Sequence, residues 1–248
     1  MVGGASEVMM GARADTRERI VRATAALLAA GGREAVSTRA VAAAAGVPTP
    51  TIYRLFGDMS GLLDAVAELG FSAYLREKTA REIMEDPVEG LRQGWDRHVG
   101  FALANPGIYQ LMIGGLRPGA ALSAVREAAE ILHGLVSRVA EAGQLRVGVD
   151  RAVRMIHAAG TGVILTLLGT APEERDPALS EMAREAILAA IITDEPAQEA
   201  TTPGGGRNRA AHRAVALKAV LSEVQAEFTP GERTLLTEWL DVIATPAR

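Results

Sequence analysis

Residues 37–63 read STRAVAAAAGVPTPTIYRLFGDMSGLL, and their punctuation alone predicts two short helices and the start of a third. Ser37 is suited to cap a helix through Val41 to about Ala45, which stops at Gly46, the residue best able to take the positive φ of a tight turn. Thr49 at the N-cap and Pro50 at the first helical position open the second, which continues through Ile52, Tyr53 and Phe56. The third begins near Asp58 or Ser60 and presents Leu62, Val66, Leu69 and Ala73 on one side. A helix, a glycine turn and a second helix of this size form the arrangement that lays its second helix in the DNA major groove.

Upstream, Asp15 with Glu18 three residues later forms a capping-box-like start for a helix whose apolar positions include Ile20, Ala23, Leu27 and Leu28 and which ends at Gly31-Gly32. Downstream, Pro87 starts a helix to about Ala104, Asn105-Pro106-Gly107 breaks it, and a short helix covers Ile108 to about Ile113. Two longer helices carry the spacing of bundle seams, one through Val125, Ala128, Leu132, Leu135 and Val139, the next through Val153, Ile156, Gly160, Val163 and Leu167. A helix from about Ala178 to Ile192 follows, and residues 194–207 (DEPAQEATTPGGGR) read as a linker. Two amphipathic segments close the chain, at about 208–228 and 231–243, with one apolar stripe through Leu217, Leu221, Val224 and Phe228 and then Leu235, Leu236, Trp239 and Leu240. No stretch alternates convincingly as a strand and no internal repeat is present.

The expected fold class is therefore all-α: an N-terminal three-helix helix-turn-helix head over residues 1–60, joined to a helical-bundle body over 61–193. A linker (194–207) and an accessory helical tail (208–248) complete the division. Composition agrees, since the 248 residues are 48% hydrophobic but only 4% aromatic, which suits Ala/Leu-packed helices. The absence of cysteine excludes disulfides, Cys-based zinc sites and thiol redox sensing, and agrees with a reducing cytoplasm. The N-terminus (MVGGASEVMMGARA) has no basic region followed by an apolar run, so no secretory signal is expected. The longest uncharged runs, 98–116 and 155–172, are interrupted by Asn105-Pro106-Gly107 in the first and by His157 and three threonines in the second, so no membrane partner is expected.

A net charge of −4 looks wrong for a nucleic-acid binder until it is divided by region. Residues 1–60 carry seven arginines against five acids, a net +2, which leaves −6 for the rest. A weakly basic head on an acidic body keeps phosphate contacts local.

The N-terminal 75 residues resemble the TetR family of bacterial repressors. The likeness rests on STRAVAAAAGVPTPTIYRLFGDMSGLLDAV: the preceding helix, the A-G-V turn, the T-I-Y of the third helix and the Phe56-to-Leu62-Leu63 approach to the fourth. The remainder resembles the family only in architecture, as an all-helical ligand-binding and dimerisation bundle. The resemblance implies a non-enzymatic, cytoplasmic, homodimeric transcriptional regulator, a repressor that binds a near-palindromic double-stranded DNA operator and is released by a small apolar or amphiphilic effector. It implies a phosphate contact at Thr38 and a base contact at Arg39, whose fork suits guanine. Thr49, Pro50 and Thr51 are implied to face base edges, Tyr53 to hold a phosphate through its hydroxyl, and Arg54 to add a backbone contact. One departure stands out: the family usually has Lys followed by an acid at the start of helix four, and this chain has Met59-Ser60. The helix-four N-terminus is then expected to offer backbone N–H groups to a phosphate in its place.

In that family the ligand pocket lies among the middle helices, and Trp95, His98, Phe101, Tyr109, Met112 and His133 are the amphipathic or adaptable side chains suited to line one. The plainer alternative makes Trp95, Phe101 and Met112 core. No cofactor or metal is expected, because the four histidines include no i, i+4 pair at zinc-ligand spacing and the glycines at 204–206 lack a following Lys-Ser/Thr. No nucleophile elbow is present. The rival from another class is an all-α small-molecule-binding protein or enzyme with a degenerate DNA-binding head, with Met59 as the feature in its favour. Small residues at Ala159, Gly160, Gly162, Ala183, Ala186 and Ala190 suggest close helix approach across a dimer interface.

Overall fold

A computed structural model of the chain describes residues 3–79, 84–114, 123–193, 205–222 and 228–244. The helices are α1 (Gly3–Gly31), α2 (Thr38–Ala45), α3 (Thr49–Phe56), α4 (Met59–Thr79), α5 (Pro87–Ala104), α6 (Pro106–Gly114), α7 (Ser123–Glu141), α8 (Val149–Gly169), α9 (Leu179–Ile191), α10 (Gly205–Ala219) and α11 (Pro230–Ala244). Among the described residues no strand forms; one isolated antiparallel bridge joins Leu145 to Ile192. The all-α class is as expected. The chain divides into two compact units, residues 1–81 with 101–128, and 82–100 with 129–248.

In the first unit, α1 buries Ile20, Val21, Thr24 and Leu28, a stripe at helical spacing. Thr24 is tolerated there because its hydroxyl donates to the Ile20 carbonyl at 2.8 Å. These side chains meet Val41, Ala42 and Ala45 of α2, Ile52 of α3, and Leu62, Leu63 and Val66 of α4, with Ile108 and Leu111 of α6 packed against the same core. Three sequence expectations need correction. Helix α1 begins at Gly3, so Asp15 sits inside the helix and caps nothing. Pro48 occupies the N-cap of α3, which puts Thr49 inside the helix and Pro50 within its first turn. On α4, Leu69 is exposed and the buried stripe runs instead through Leu62, Val66, Phe71 and Leu75, while the side chain of Ala73 lies outside what is described.

In the second unit, α8 buries Ala152, Ile156, Gly160, Val163, Ile164 and Leu167 and pairs with α9, which buries Leu188 and Ile191. Helix α8 is long and apolar enough to cross a membrane by length and composition alone. Its buried stripe is the core face of a packed helix here, and Arg151, Arg154 and His157 lie on or beside its other side. Arg92 of α5 grips Glu185 of α9 with Nε and one terminal nitrogen, at 3.0–3.2 Å. Arg184 binds Asp96, and the Trp95 indole donates to Ser180 Oγ at 3.0 Å. Gly160 of α8 faces Trp95, where a Cβ would stand 3.6 Å from the indole, an ordinary contact distance, so the approach does not itself require glycine. The end of α9 is pinned by Arg146 N donating to Ile191 O and Thr193 N donating to Gln144 O.

The tail forms an α10–α11 hairpin in which Ala214 and Leu221 pack against Leu240, with Leu236 and Ala244 alongside. The first tail helix was expected to reach about 228, but α10 ends at Ala219, and the amide of Leu221 closes on the Lys218 carbonyl in a tighter turn. Most of the predicted linker, residues 194–204, and Val224 of the predicted apolar stripe lie outside the described residues.

Candidate nucleic-acid interface

The Ser37 hydroxyl accepts from the Ala40 amide at 3.2 Å and starts α2; Gly46 stops it in the left-handed region at φ 62°. Arg19 of α1 donates from Nε to the Ala45 carbonyl at 3.0 Å, which satisfies an orphan group at the α2 C-terminus and places a cation where the helix dipole favours one. Arg17 lies over the Phe56 ring, 5.2 Å from its centroid. Both short helices are thus held to α1 by polar clamps as well as by the core.

That scaffold leaves one surface of α2 and α3 open. Arg39, Thr49, Pro50, Tyr53 and Arg54 are exposed, and Thr38 and Thr51 are half-buried. Thr38 Oγ1 and Tyr53 Oη lie 3.4 Å apart, so two hydroxyls from different helices stand together where one phosphate oxygen could bridge them. Tyr53 keeps 48% of its surface in water although Ile52 beside it is fully buried, as expected of a ring serving the surface. Sequence spacing alone did not reveal this pairing, because fifteen residues separate its members.

The start of α4 differs from expectation. Asp58 caps it by accepting from the Gly61 amide at 2.8 Å, so one of the backbone donors expected to face a phosphate is already taken by a carboxylate. A Cβ at Gly61 would collide with the Phe56 carbonyl oxygen, so glycine is what lets α4 start this close to the end of α3.

The residues proposed to line a ligand pocket fall in both units. In the second, Trp95 is buried and bonded to Ser180, His98 is half-buried, and His133 is exposed, 3.6 Å from Asp150. In the first, Tyr109 and Met112 are buried on α6, and Phe101 stacks on Tyr74 with centroids 4.5 Å apart, Phe71 standing 5.6 Å away. Sequence reasoning missed Phe71 and Tyr74; their i, i+3 spacing on α4 was the available signal. It also passed over Arg97 of α5, whose Nε is buried without a hydrogen-bond partner among the described residues. No cluster of three or more metal-ligating side chains occurs among the described residues.

Two consecutive short helices, clamped from behind and open in front with hydroxyls and arginines, define a helix-turn-helix DNA-binding protein. Residues 20–66 match the bacterial regulatory proteins of the tetR family, so the chain carries a DNA-binding domain of the TetR type at its N-terminus. Among solved structures, a protein of unknown function from Rhodococcus sp. RHA1 matches with TM-score 0.61 and 23% identity, over 72% of this chain and 96% of that one. A TetR-family transcriptional regulator from Streptomyces coelicolor matches with TM-score 0.53 and 25% identity, over 70% of this chain and 96% of that one. The multidrug binding protein EbrR, in complex with ethidium, matches with TM-score 0.54 and 24% identity, over 71% of this chain and 98% of that one. A search of curated proteins finds no match.

Proposed function

We propose that the chain is a cytoplasmic, homodimeric repressor that binds a near-palindromic operator and leaves it when a small apolar or amphiphilic molecule binds. The observation that carries this reading is the Thr38–Tyr53 hydroxyl pair beside exposed Arg39. Thr38, Tyr53 and Arg54 position the head on phosphates, while Arg39, Thr49, Pro50 and Thr51 read base edges. Two heads related by a two-fold axis address half-sites one helical turn apart, about 34–36 Å, or a multiple of it. The dimer forms through the outer faces of α8 and α9, where Gly162, Leu165, Met182, Ala186 and Ala190 are exposed. Gly160, first grouped with these, faces Trp95 within the same chain and is not part of that face.

Release requires that the effector bind one conformation better than another. Trp95, His98, Phe101, Tyr109, Met112 and His133 are the proposed ligand-facing side chains. Tyr109 and Met112 sit on α6, and Ile108 and Leu111 of that helix pack into the core of the head, so a ligand that displaces α6 disturbs the packing behind α2 and α3. EbrR with ethidium makes a flat aromatic cation a rational first probe.

Selection of genomic fragments by the purified protein, repeated with ethidium and other amphiphiles, tests the reading. A single enriched inverted repeat, bound more weakly as salt rises and released by one compound class, supports it. The rival, a small-molecule binder or enzyme with a degenerate head, draws support from the Asp58 carboxylate at the start of α4, and an affinity equal for every sequence would favour it.

A further inference from the structure

Helix α11 carries apolar residues on two faces, and α10 covers only one. Leu236, Leu240 and Ala244 turn toward α10, whereas Leu235, Trp239, Val242 and Ile243 stay open, Trp239 at 57% and Val242 at 73% exposure. These four leave on the order of 500 Å² of apolar side-chain surface in water, a size at which a patch marks an interaction site. We propose that this face pairs with the same face of a second copy of the chain, adding a contact to the dimer made by α8 and α9; the inference rests on the homodimer reading above.

The pattern is self-complementary. Leu235 and Ile243 lie one helical turn to either side of Trp239, so a two-fold axis at Trp239 sets each Leu235 against the other copy's Ile243 in an antiparallel crossing. Lys218 of α10 already pairs with Asp241 of α11 within each hairpin, so the pairing of copies rests on the apolar face. Among the described residues of this unit, the other exposed large apolar side chains are Leu217 on α10 and, outside the hairpin, Leu165 and Met182, the latter two on the α8 and α9 faces that the dimer itself would bury. A patch of this size, counted on both copies, covers about 1,000 Å², marginal alone and sufficient as an extension of another interface. The tether favours it: residues 194–204 leave from the pinned end of α9 and span at most about 40 Å.

The chain has no cysteine, so Val242→Cys supplies a single reporter thiol on the face, with Ser222→Cys as an exposed control off it. Maleimide labelling of Val242→Cys should run at least several-fold slower than the control, and rise to the control rate when Ala186→Arg makes the chain monomeric. Equal rates with and without Ala186→Arg overturn the proposal, whether fast, which means an open face, or slow, which means that the chain covers it with its own body. Sedimentation of the same samples separates the two readings. An Ala186→Arg chain that stays dimeric places the principal interface elsewhere, and Trp239→Glu then decides: a dimer dissociation constant raised about tenfold or more supports the pairing, and an unchanged one overturns it. Circular dichroism of each variant verifies that the helices are retained.

Discussion

Arg39 and Tyr53 stand on adjacent helices, both exposed, yet they are expected to fail differently when changed. A guanidinium that reads a guanine edge carries specificity, so Arg39→Ala should weaken operator binding by about 1–3 kcal/mol and relax preference at one base position. Competition between operator variants measures this; an equal loss on random duplex would make Arg39 a phosphate contact. The Tyr53 hydroxyl, beside Thr38 Oγ1, is a backbone anchor, so Tyr53→Phe should cost affinity on all sequences alike. A loss confined to one base would overturn that role. Both residues were legible in the sequence because the surrounding pattern is local; the carboxylate cap at Asp58, which takes the Gly61 amide, was not.

Between elements, the tightest constraint is the α3–α4 junction, where the Gly61 backbone passes so close to the Phe56 carbonyl that no side chain fits. Gly61→Ala must move α4 away from α3, and is expected to destabilise the head by about 1–3 kcal/mol and to weaken DNA binding with it. Chemical denaturation and a binding titration of the same variant check both effects; unchanged stability would mean that the junction relaxes freely. On the other unit, the α5–α9 clasp sets a pH dependence. The hydrogen bond from Arg92 holds the Glu185 carboxyl below its ordinary value of 4.5, against the opposing effect of burial. A depressed carboxylate stabilises the fold above its unfolded pKa, and that contribution is lost as pH falls through the folded one. The melting temperature of the wild type should exceed that of Glu185→Gln at neutral pH and converge with it in acid below about pH 4. Because both side chains are more than a third exposed, the difference should be small and should shrink in high salt. A constant difference across pH would show that packing, not charge, accounts for it.

For the molecule as a whole, the neighbours cover nearly all of their own length but only 70–72% of this chain, so more than a quarter of it has no counterpart in them. Truncation after Thr202 should leave Arg39-dependent reading of the operator intact while lowering thermal stability, and should make operator binding fall off at higher protein concentration because the dimer is weaker. Melting curves and a dilution series of operator binding measure the two effects. An unchanged melting temperature and dilution curve would show that the hairpin contributes to neither.

What the sequence determined by itself was local: the Ser37 cap, the Gly46 stop, the Pro87 start of α5 and the helical class, each set by dihedral preference or hydrogen bonding within a few residues. Tertiary structure alone decided which faces are used. Periodicity marked Leu217, Leu221, Leu235, Leu236, Trp239 and Leu240 as a single stripe, but the hairpin buries Leu221, with Leu236 and Leu240, and leaves Leu217, Leu235 and Trp239 open. It also brought Thr38 to Tyr53 and placed Ile108 of α6 in the core of the head. The reason is physical. Helical period follows from the backbone of one segment, whereas burial depends on which other segment arrives, and that is set by long-range packing that no short window of sequence contains.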